Sequence, residues 1–505
     1  MPLQQTHHLH PQGWESSPEE ERFKVTTLDY LSVCSYNMYA LFFRLDTDNE
    51  SNIQQAISIL KAGLERTLSQ TRHLCGTIEK DPEGAGGHSF VTKRGSTVRF
   101  IVQWLTTLNP DSKADEEGEG EGERERYPSF HDIEAAHFSA PALKPNLSLY
   151  AVPPMTYGVT EAAHPDNHPV VAAYKANIVD GGIVFAMHHH HYANDVLGWA
   201  GMTHQFAENC YAVAHNTAYP GWDGRNLDLG RFIKSPTANE MVDAPASPGR
   251  HPEHRDAISL LFHLPKSRAA ELKRIAAPED GSGRWVSTYD AFSAFMMRVL
   301  TRVRVEAGVF KVEESGPILW AEAVDMRRRL HNPSAPARMQ GNVMMAVVNA
   351  STETAVPHPT VSEIISEWPL WKLALYVRAL TNTASQEALD QSLNAIANIR
   401  DKTKLSIRID STPPLSILQT DHREVNITAA DFGFAKPVAY RFLADSVANG
   451  IVFVYPPRAS DDPDEGLGMA IAFEKDLAQS LIEDEEWRAY FEYRGVDAVN
   501  ASPEP

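Results

Sequence analysis

The sequence predicts a mixed α/β protein, of α/β or α+β type, with two domains of similar size. The 505 residues are enough for two or more domains, each with its own core. Both halves of the chain alternate short apolar runs with stretches of helical periodicity. Between them, residues 215–256 lose all periodicity and contain turn sequences such as Pro220-Gly221 and Ser235-Pro236. We therefore predict an N-terminal domain at 24–214, a crossover linker at 215–256 and a C-terminal domain at 257–505.

Composition and charge exclude several classes of protein. The formal net charge of -20, from 66 acidic and 46 basic residues, argues against nucleic acid or a membrane surface as a partner. Cys34, Cys75 and Cys210 lie far apart and fit neither a disulfide framework nor a zinc site, which favours a reducing compartment such as the cytoplasm. Residues 1–21 lack the apolar core of a signal peptide, and no run reaches the ~18 apolar residues of a membrane span.

Two segments are predicted to be disordered. Residues 1–23 are polar and form a leader ahead of the first apolar elements. Residues 111–127 are charged, rich in glycine and almost free of apolar residues, so they cannot repay the entropy cost of ordering. We interpret them as an acidic surface loop; a functional acidic tail is the alternative.

The N-terminal half opens with elements of both kinds. Apolar runs predict strands at residues 40–45, 97–105, 147–153 and 170–177, and turn residues at 82–87 predict a hairpin. Asp48, Asn49 and Ser51 are candidate caps for the first helix. Its apolar face is formed by Ile53, Ile57, Leu60, Leu64 and Leu68.

The most informative stretch is the run of four histidines, His188 to His191. The apolar residues 183–187 before it predict a buried strand. After Asp195 the apolar residues change to helical spacing at Trp199, Met202, Phe206, Cys210 and Val213. The histidines therefore lie at a strand end and a turn, where a fold can present a side chain to a pocket.

A histidine with an ordinary pKa near 6.5 can act as a base at neutral pH, and Asp195 is close enough to shape the turn. Three other interpretations compete. Neighbouring histidines on a strand point to opposite faces, which disfavours a metal site. Asp195 could serve only as a helix N-cap. The histidine run could also be a purification tag, but a tag would lie at a terminus of the chain.

The C-terminal half predicts a strand at residues 259–264 and then a basic helix that begins near Pro265 and carries Lys266 and Arg268. Ser287-Thr288-Tyr289-Asp290 matches a capping box that opens a second helix. The remaining predictions are strands at 318–324, 450–455 and 466–473, and helical stretches at 361–380, where Pro369 interrupts, 385–399 and 474–490.

Four separated stretches together resemble the BAHD-type acyl-CoA-dependent O-acyltransferases, and within them the fungal, trichothecene acetyltransferase-like branch. His190-His191-Tyr192-Ala193-Asn194-Asp195 matches the HHxxxD core, and Asp431-Phe432-Gly433-Phe434-Ala435-Lys436-Pro437 looks like DFGWG-x-P. Val324-Asp325-Met326-Arg327-Arg328-Arg329 with Gly341-Asn342 is similar to VDxRxR…GN, and Ser287 to Phe292 resembles a characteristic helix start. The resemblance covers residues 26 to 492.

The resemblance implies two chloramphenicol-acetyltransferase-like domains with a tunnel between them. His191 would be the general base that deprotonates an acceptor hydroxyl, whose oxygen attacks the acyl-CoA thioester with no acyl-enzyme. Asp195 would point away from the substrate and pair with Arg327. Asn342, Asp431 and Gly433 would support the site structurally. The acceptor would be a hydroxyl of a hydrophobic secondary metabolite, and the acyl group acetyl.

The resemblance also implies a coenzyme A site at the start of the Ser287-Thr288 helix, with the basic residues Lys266 and Arg268 nearby. A plain capping box and a solvated basic face are the alternative. Acyl-CoA would be a co-substrate, with no permanently bound cofactor and no metal. We expect a monomer.

Three positions depart from the family pattern: Val196 and Ala435 replace glycine, and Phe434 replaces tryptophan. Alanine for glycine is harmful only where φ is positive. These departures leave three alternatives open: a condensation-type enzyme that uses a carrier-protein-bound acyl group, a non-catalytic member of the fold, and one that guides a cyclisation.

Overall fold

A computed structural model describes residues 2–82, 87–106, 127–143, 146–156, 160–237, 240–279, 281, 283–309, 318–405 and 408–500. The strands within these ranges are β1 Leu3–Leu9, β2 Glu20–Lys24, β3 Tyr36–Arg44, β4 Thr77–Lys80, β5 His88–Lys93, β6 Val98–Leu105, β7 Ala172–Val179, β8 Gly182–His190, β9 Ala257–Leu264, β10 Trp320–Asp325, β11 Met344–Val348, β12 Ile417–Asp421, β13 Ala439–Phe442, β14 Ile451–Tyr455, β15 Leu467–Glu474 and β16 Glu492–Ala498.

Helices alternate with these strands in both halves of the chain. The helices in the described ranges are α1 Glu50–Gln70, α2 Phe130–Ala135, α3 Thr160–Ala163, α4 Val196–His215, α5 Lys266–Ile275, α6 Thr288–Glu306, α7 Leu370–Thr381, α8 Gln386–Ala397, α9 Ala478–Glu483 and α10 Glu485–Arg488. The predicted mixed α/β class is thereby confirmed, as are the strand before the histidines and the helix after Asp195.

The first sheet has the order β1-β6-β7-β8-β3-β13, with β8 near its centre. Every residue of β8 is buried, because α1 and α4 cover one face of the sheet and α2 with its neighbouring loops covers the other. A strand covered on both faces needs apolar residues at consecutive positions. This explains the unbroken apolar run from Ile183 to Met187.

The second sheet has the order β11-β10-β12-β14-β15-β9-β16, in which β10, β12 and β14 run parallel. Alternate residues of β14 belong to different cores. Val452 and Val454 pack with α6 and α7, while Phe453 and Tyr455 pack with the first half of the molecule. One face of this sheet therefore carries its own helices, and the other faces the N-terminal half.

A strand from the C-terminal half completes the first sheet. Residues Ala439–Phe442 pair antiparallel with β3, with Tyr440 opposite Leu41. The division of the chain at residues 24–214 and 257–505 is therefore corrected: residues 439–442 belong to the sheet of the N-terminal half. A strand of four residues carries no signal of which sheet it joins, since its partner is set by tertiary packing.

The prediction of a disordered leader at residues 1–23 is wrong. Residues Leu3–Leu9 form an edge strand that pairs with β6, and Glu20–Lys24 pairs with β5. The backbone hydrogen bonds of an edge strand do not require apolar side chains, so the polar composition misled the prediction. A buried Leu9 and the stacking of His10 on Trp14, with ring centroids 4.4 Å apart, also hold this segment.

Two smaller predictions also need correction. A strand was predicted at residues 147–153, but Leu147–Tyr150 is a 3-10 turn because the Asn146 side chain accepts a hydrogen bond from Leu149 N. The predicted helix at 474–490 is two short helices, since Asp484 caps a new start, and β16 after it was missed. The acidic loop at 111–127 lies almost wholly outside the described residues.

No helix in the described part of the chain is long and apolar enough to cross a membrane.

Candidate active site

His191 lines a cavity of about 190 Å³ between the two halves of the molecule. Its walls include Asn37, Tyr39 and His191 from the first half and Asp325, Thr420 and His422 from the second. The cavity shares Val33, Ile409, Ile451 and Phe453 with a second cavity of about 450 Å³, which has Arg250, Arg255 and Arg408 at its rim. The imidazole is therefore not packed into a solid interior, and adjoining cavities lead away from it.

The other three histidines of the run are structural. His188 and His190 each contact a backbone carbonyl, Met155 O at 2.6 Å and Ala163 O at 2.8 Å. His189 points to the opposite face of the strand and contacts the Tyr174 hydroxyl at 3.0 Å. Burial lowers the pKa of His188 and His190 to about 4 and that of His189 to about 3, so all three are neutral at neutral pH.

His191 differs from its neighbours because its ring is only partly enclosed. Its backbone N–H donates to Ser35 O at 2.9 Å, which fixes the chain as it leaves the strand. Its Nδ1 atom is buried and has no hydrogen-bond partner among the described residues. Burial lowers the pKa of His191, against the opposing influence of its own backbone, of Asp195, of the Asn194 backbone and of the Asn342 side chain. A neutral ring with its proton on Nδ1 leaves the Nε2 lone pair free for the cavity.

Asp195 is fully engaged with protein groups. Its Oδ1 accepts from Gly198 N at 2.7 Å, so it caps α4, and Oδ2 accepts from Val343 N at 2.8 Å. Arg327 donates to both oxygens, at 2.8 and 3.1 Å. The resemblance implies this ion pair, and the structure contains it. Asp195 therefore fixes the turn by joining α4 to the C-terminal half.

Arg327 is itself held on every side. It also donates to Asp325 Oδ1 at 2.7 Å, to Met339 O at 2.8 Å and to Gly341 O at 3.1 Å. Gly341 has a φ of +78°, and an added Cβ would lie 2.5 Å from Leu229. Only glycine fits at this point, where the chain approaches the arginine.

Asn342 completes the support of the residues 190–195, here called the histidine turn. Its amide donates to His191 O at 2.9 Å, to Tyr192 O at 3.1 Å and to Asp29 Oδ1 at 2.9 Å, and its oxygen accepts from Ser32. Burial raises the pKa of Asp29 to about 7, although the bond from Asn342 opposes that rise. One amide thus joins three distant segments of the chain at the back of the turn.

Residues 431–437, here called the Asp431 loop, lie away from this cavity. Gly433 N donates to Asp431 Oδ1 at 2.9 Å, which closes a tight turn. Gly433 has a φ of +80°, and an added Cβ would lie 2.5 Å from Ala214 on α4. Ala435 does not have a positive φ, and Val196 is the first residue of α4, so neither departure from glycine strains the backbone.

The residues predicted for coenzyme A are not brought to the His191 cavity. Ser287 and Asp290 form the predicted capping box of α6, and Asp290 also accepts from Arg378 at 2.9 Å. Lys266 donates to Pro463 O at 3.3 Å, and the Asp464 carboxylate occupies the start of α5. Thr288 is half-buried and Arg268 is exposed. These residues lie on the second sheet's helical side, apart from the histidine.

Sequence reasoning missed four residues of the cavity: Asn37, Tyr39, Thr420 and His422. Asn37 and Tyr39 alternate with apolar residues in β3, a pattern that marks only a strand face. His422 follows β12, a half-buried strand whose last three residues, Gln419 to Asp421, are polar, so it lacks the apolar run that precedes the histidines in β8.

This chain is similar in sequence to known transferases. A family model described as "Transferase family" matches residues 150–486, and one described as "Trichothecene 3-O-acetyltransferase-like N-terminal domain" matches residues 36–210. Acetyltransferase FGR3 of Gibberella zeae is 58% identical over 499 residues, which cover 98% of this chain and 95% of that protein. Trichothecene 3-O-acetyltransferase TRI101 of Fusarium sporotrichioides is 25% identical, over 87% of this chain and 90% of that protein.

Solved structures share the fold. F. graminearum TRI101, complexed with coenzyme A and T-2 mycotoxin, has a TM-score of 0.74 at 20% identity and covers 94% of this chain and all of that one. Vinorine synthase has a TM-score of 0.61 at 16% identity, over 95% of this chain and 96% of that one. The protein is an acyltransferase with the two-domain BAHD fold. It belongs to the transferase family, in the fungal branch defined by the trichothecene acetyltransferase-like N-terminal domain.

Proposed function

We propose that the protein transfers an acetyl group from acetyl-CoA to a hydroxyl of a secondary metabolite, with His191 as general base. The observation that carries this proposal is the partly exposed His191 ring in a cavity that both halves of the chain enclose. The names of the relatives support it, since Acetyltransferase FGR3 is 58% identical and structures of TRI101 hold coenzyme A.

The chemistry needs one proton acceptor in the right tautomer. Nε2 of His191 takes the proton of the acceptor hydroxyl while its oxygen attacks the thioester carbonyl carbon. The carbon–sulfur bond then breaks, and the leaving thiolate takes the proton back from the imidazolium. The ester and free coenzyme A are the products, and the histidine is regenerated. The lowered pKa of His191 keeps it unprotonated and ready at neutral pH.

Asp195 has a positioning role in this proposal. Both of its oxygens are engaged by Gly198, Val343 and Arg327, so it has no free lone pair aimed at the histidine ring. The ion pair with Arg327 instead fixes the turn that carries His191. Asn342 acts in the same way from the other side, and the Asp431 loop braces α4.

The coenzyme A subsites are also proposed. The thioester must reach His191, and the nucleotide must lie outside the narrow cavity, because that cavity is about 190 Å³. The start of α6 at Ser287 and Thr288 and the basic residues Lys266 and Arg268 are the proposed phosphate contacts. The acceptor pocket has both apolar and polar walls, since Tyr39 and Phe453 line it together with Asn37 and Thr420. Monomeric state and cytoplasmic location remain predictions.

The test is thiol release from acetyl-CoA by the purified full-length chain, with water alone and with a panel of alcohols that includes deoxynivalenol. We expect alcohol-dependent release and an acetylated product by mass spectrometry. His191→Ala should lower the rate by about 10²–10⁴-fold. The matched control is His331→Ala, which removes an exposed histidine and should leave the rate unchanged.

Two results would contradict the proposal. An unchanged rate in His191→Ala would show that His191 is not the general base. Acetyl transfer only from an acetylated carrier protein would favour the condensation-type alternative. A Lys266→Ala, Arg268→Ala double variant in the same assay tests the phosphate contacts. Its KM for acetyl-CoA should rise several-fold, since exposed ion pairs contribute roughly 0.2–1 kcal/mol each.

A further inference from the structure

Two imidazoles line the cavity between the halves of the molecule, and the proposed function uses only His191. His422 lies on the same cavity, comes from the opposite half of the chain and is 4% exposed. We propose that His422 donates a hydrogen bond from Nε2 to the oxyanion that forms when the acceptor attacks the thioester. This inference rests on the proposed function and names a second residue of that reaction.

The surroundings of His422 fix both its position and its tautomer. Its backbone N–H donates to Val454 O at 2.8 Å, and its Nδ1 lies 2.9 Å from the Tyr440 hydroxyl. Tyr440 is 1% exposed, and within the described part of the chain its hydroxyl has no other partner. The hydroxyl hydrogen therefore has one acceptor, Nδ1, which places the ring proton on Nε2.

The proton on Nε2 is directed to the cavity wall. Nε2 lies 3.2 Å from Thr420 Oγ1, and the half-buried Thr420 lines the same cavity. A long contact of this kind can be exchanged for a shorter one to a charged oxygen. The imidazole N–H and the threonine hydroxyl together offer two donors at one place. Two hydrogen-bond donors at one place can form an oxyanion hole, which stabilises the anion of an acyl-transfer intermediate.

His422 and His191 differ in the way that the two roles require. The Nδ1 lone pair of His422 is occupied by Tyr440, whereas Nδ1 of His191 has no partner from another residue. Burial lowers the pKa of His422 to about 4, despite the opposing charges of Asp421 and Asp195. His422 therefore stays neutral while His191 cycles through its protonated form. A neutral donor binds a developing charge without taking the proton that the reaction must transfer.

The step balances in these terms. The acceptor oxygen forms a bond to the carbonyl carbon, its proton moves to Nε2 of His191, and the carbonyl π electrons become the oxyanion held by His422. When the carbonyl re-forms, the carbon–sulfur bond breaks and the thiolate receives the proton from His191. The hydrogen bond from His422 is strongest at the intermediate, so it should act on kcat rather than on substrate binding.

The experiment compares His422→Phe, which keeps a ring but removes the donor, with His422→Gln, which keeps an amide N–H. Removal of one oxyanion donor lowers kcat by about 10²–10³-fold, which we expect for His422→Phe. His422→Gln should recover at least a tenth of the wild-type kcat, and the KM for acetyl-CoA should change less than threefold in both. Thermal unfolding and binding of coenzyme A by calorimetry confirm that both variants are folded.

Tyr440→Phe is the second line of the test. Without the hydroxyl, the proton can move to Nδ1, so kcat should fall by about tenfold while the size of the side chain is kept. A folded His422→Phe enzyme with kcat within threefold of wild type would overturn the inference, and so would a pure KM effect. Loss of activity in His191→Ala beside a normal His422→Phe enzyme would leave the proposed function intact. An inactive wild type would instead refute the proposed function.

Discussion

The histidine turn and the Asp431 loop are equally conspicuous in the sequence, but they meet different surroundings. The turn joins both halves of the chain through Arg327 and Asn342 and faces the cavity. The loop is closed by its own Asp431–Gly433 bond and packs on the outer end of α4. A conspicuous sequence motif therefore does not by itself show whether its residues face the cavity or support the packing of a helix.

The difference is also electrostatic. The turn depends on buried charge, since Asp195 and Arg327 are 8% and 7% exposed. The loop depends on backbone shape, because Gly433 must hold a φ of +80° against Ala214. The ion pair of Asp195 and Arg327 can be broken by a substitution that keeps the backbone. The loop conformation at Gly433 can be broken by the addition of one methyl group. Substitutions at Arg327 and at Gly433 can therefore test the two kinds of support separately.

Arg327→Ala should damage both stability and activity. It leaves the buried Asp195 carboxylate without its cation, and breaking a buried pair in this way costs roughly 3–5 kcal/mol. The histidine turn would loosen, so kcat should also fall. The matched control is Arg328→Ala, whose exposed ion pair with Glu424 should contribute about 1 kcal/mol or less. Urea unfolding of the two variants measures the difference, and equal losses would contradict the proposed role of the buried pair.

The pairing of Asp195 with Arg327 shows how much the sequence could predict about the site. Asp195 of HHxxxD and Arg327 of VDxRxR lie 132 residues apart, and only the family resemblance joined them. Local pattern placed His191 correctly at a strand end, because an apolar run and a change of period are local properties. It could not find His422 or Tyr39, since membership of a cavity depends on how two sheets are arranged in space.

The same limit applies to the fold. Buried strands such as β8 were predicted because burial on both faces demands a continuous apolar run. The edge strand β1 was missed because its ladder with β6 is made by backbone groups, which do not require an apolar run. The strand β13 was not predicted at all, because four residues are too few to show a period or to indicate a partner. The sequence thus predicts a strand when burial requires an apolar run. It does not predict a strand whose position depends only on the strand with which it pairs.

Gly433→Ala should lower stability and spare the chemistry. The added methyl group meets Ala214 at 2.5 Å and alanine disfavours a φ of +80°, so we expect a loss of about 1–3 kcal/mol. The folded fraction should keep its kcat, because the Asp431 loop does not line the cavity. The matched control is Gly221→Ala, where nothing lies within 4 Å of the added Cβ. A Gly433→Ala enzyme of normal stability and reduced kcat would show that the loop acts on the site.

The pH dependence of kcat/KM should give the smallest effect and the sharpest test of the turn. Burial lowers the pKa of His191 below its usual 6.5, and a general base must be unprotonated. Activity should therefore rise as pH increases through a midpoint below 6.5 and then stay level to pH 8. Asp195 raises the pKa of His191, so Asp195→Asn should move the midpoint to lower pH. His422, with a pKa of about 4, should contribute nothing in this range. A midpoint above 6.5 would mean that the charge of Asp195 outweighs burial, and that the histidine turn is more open to water than its packing indicates.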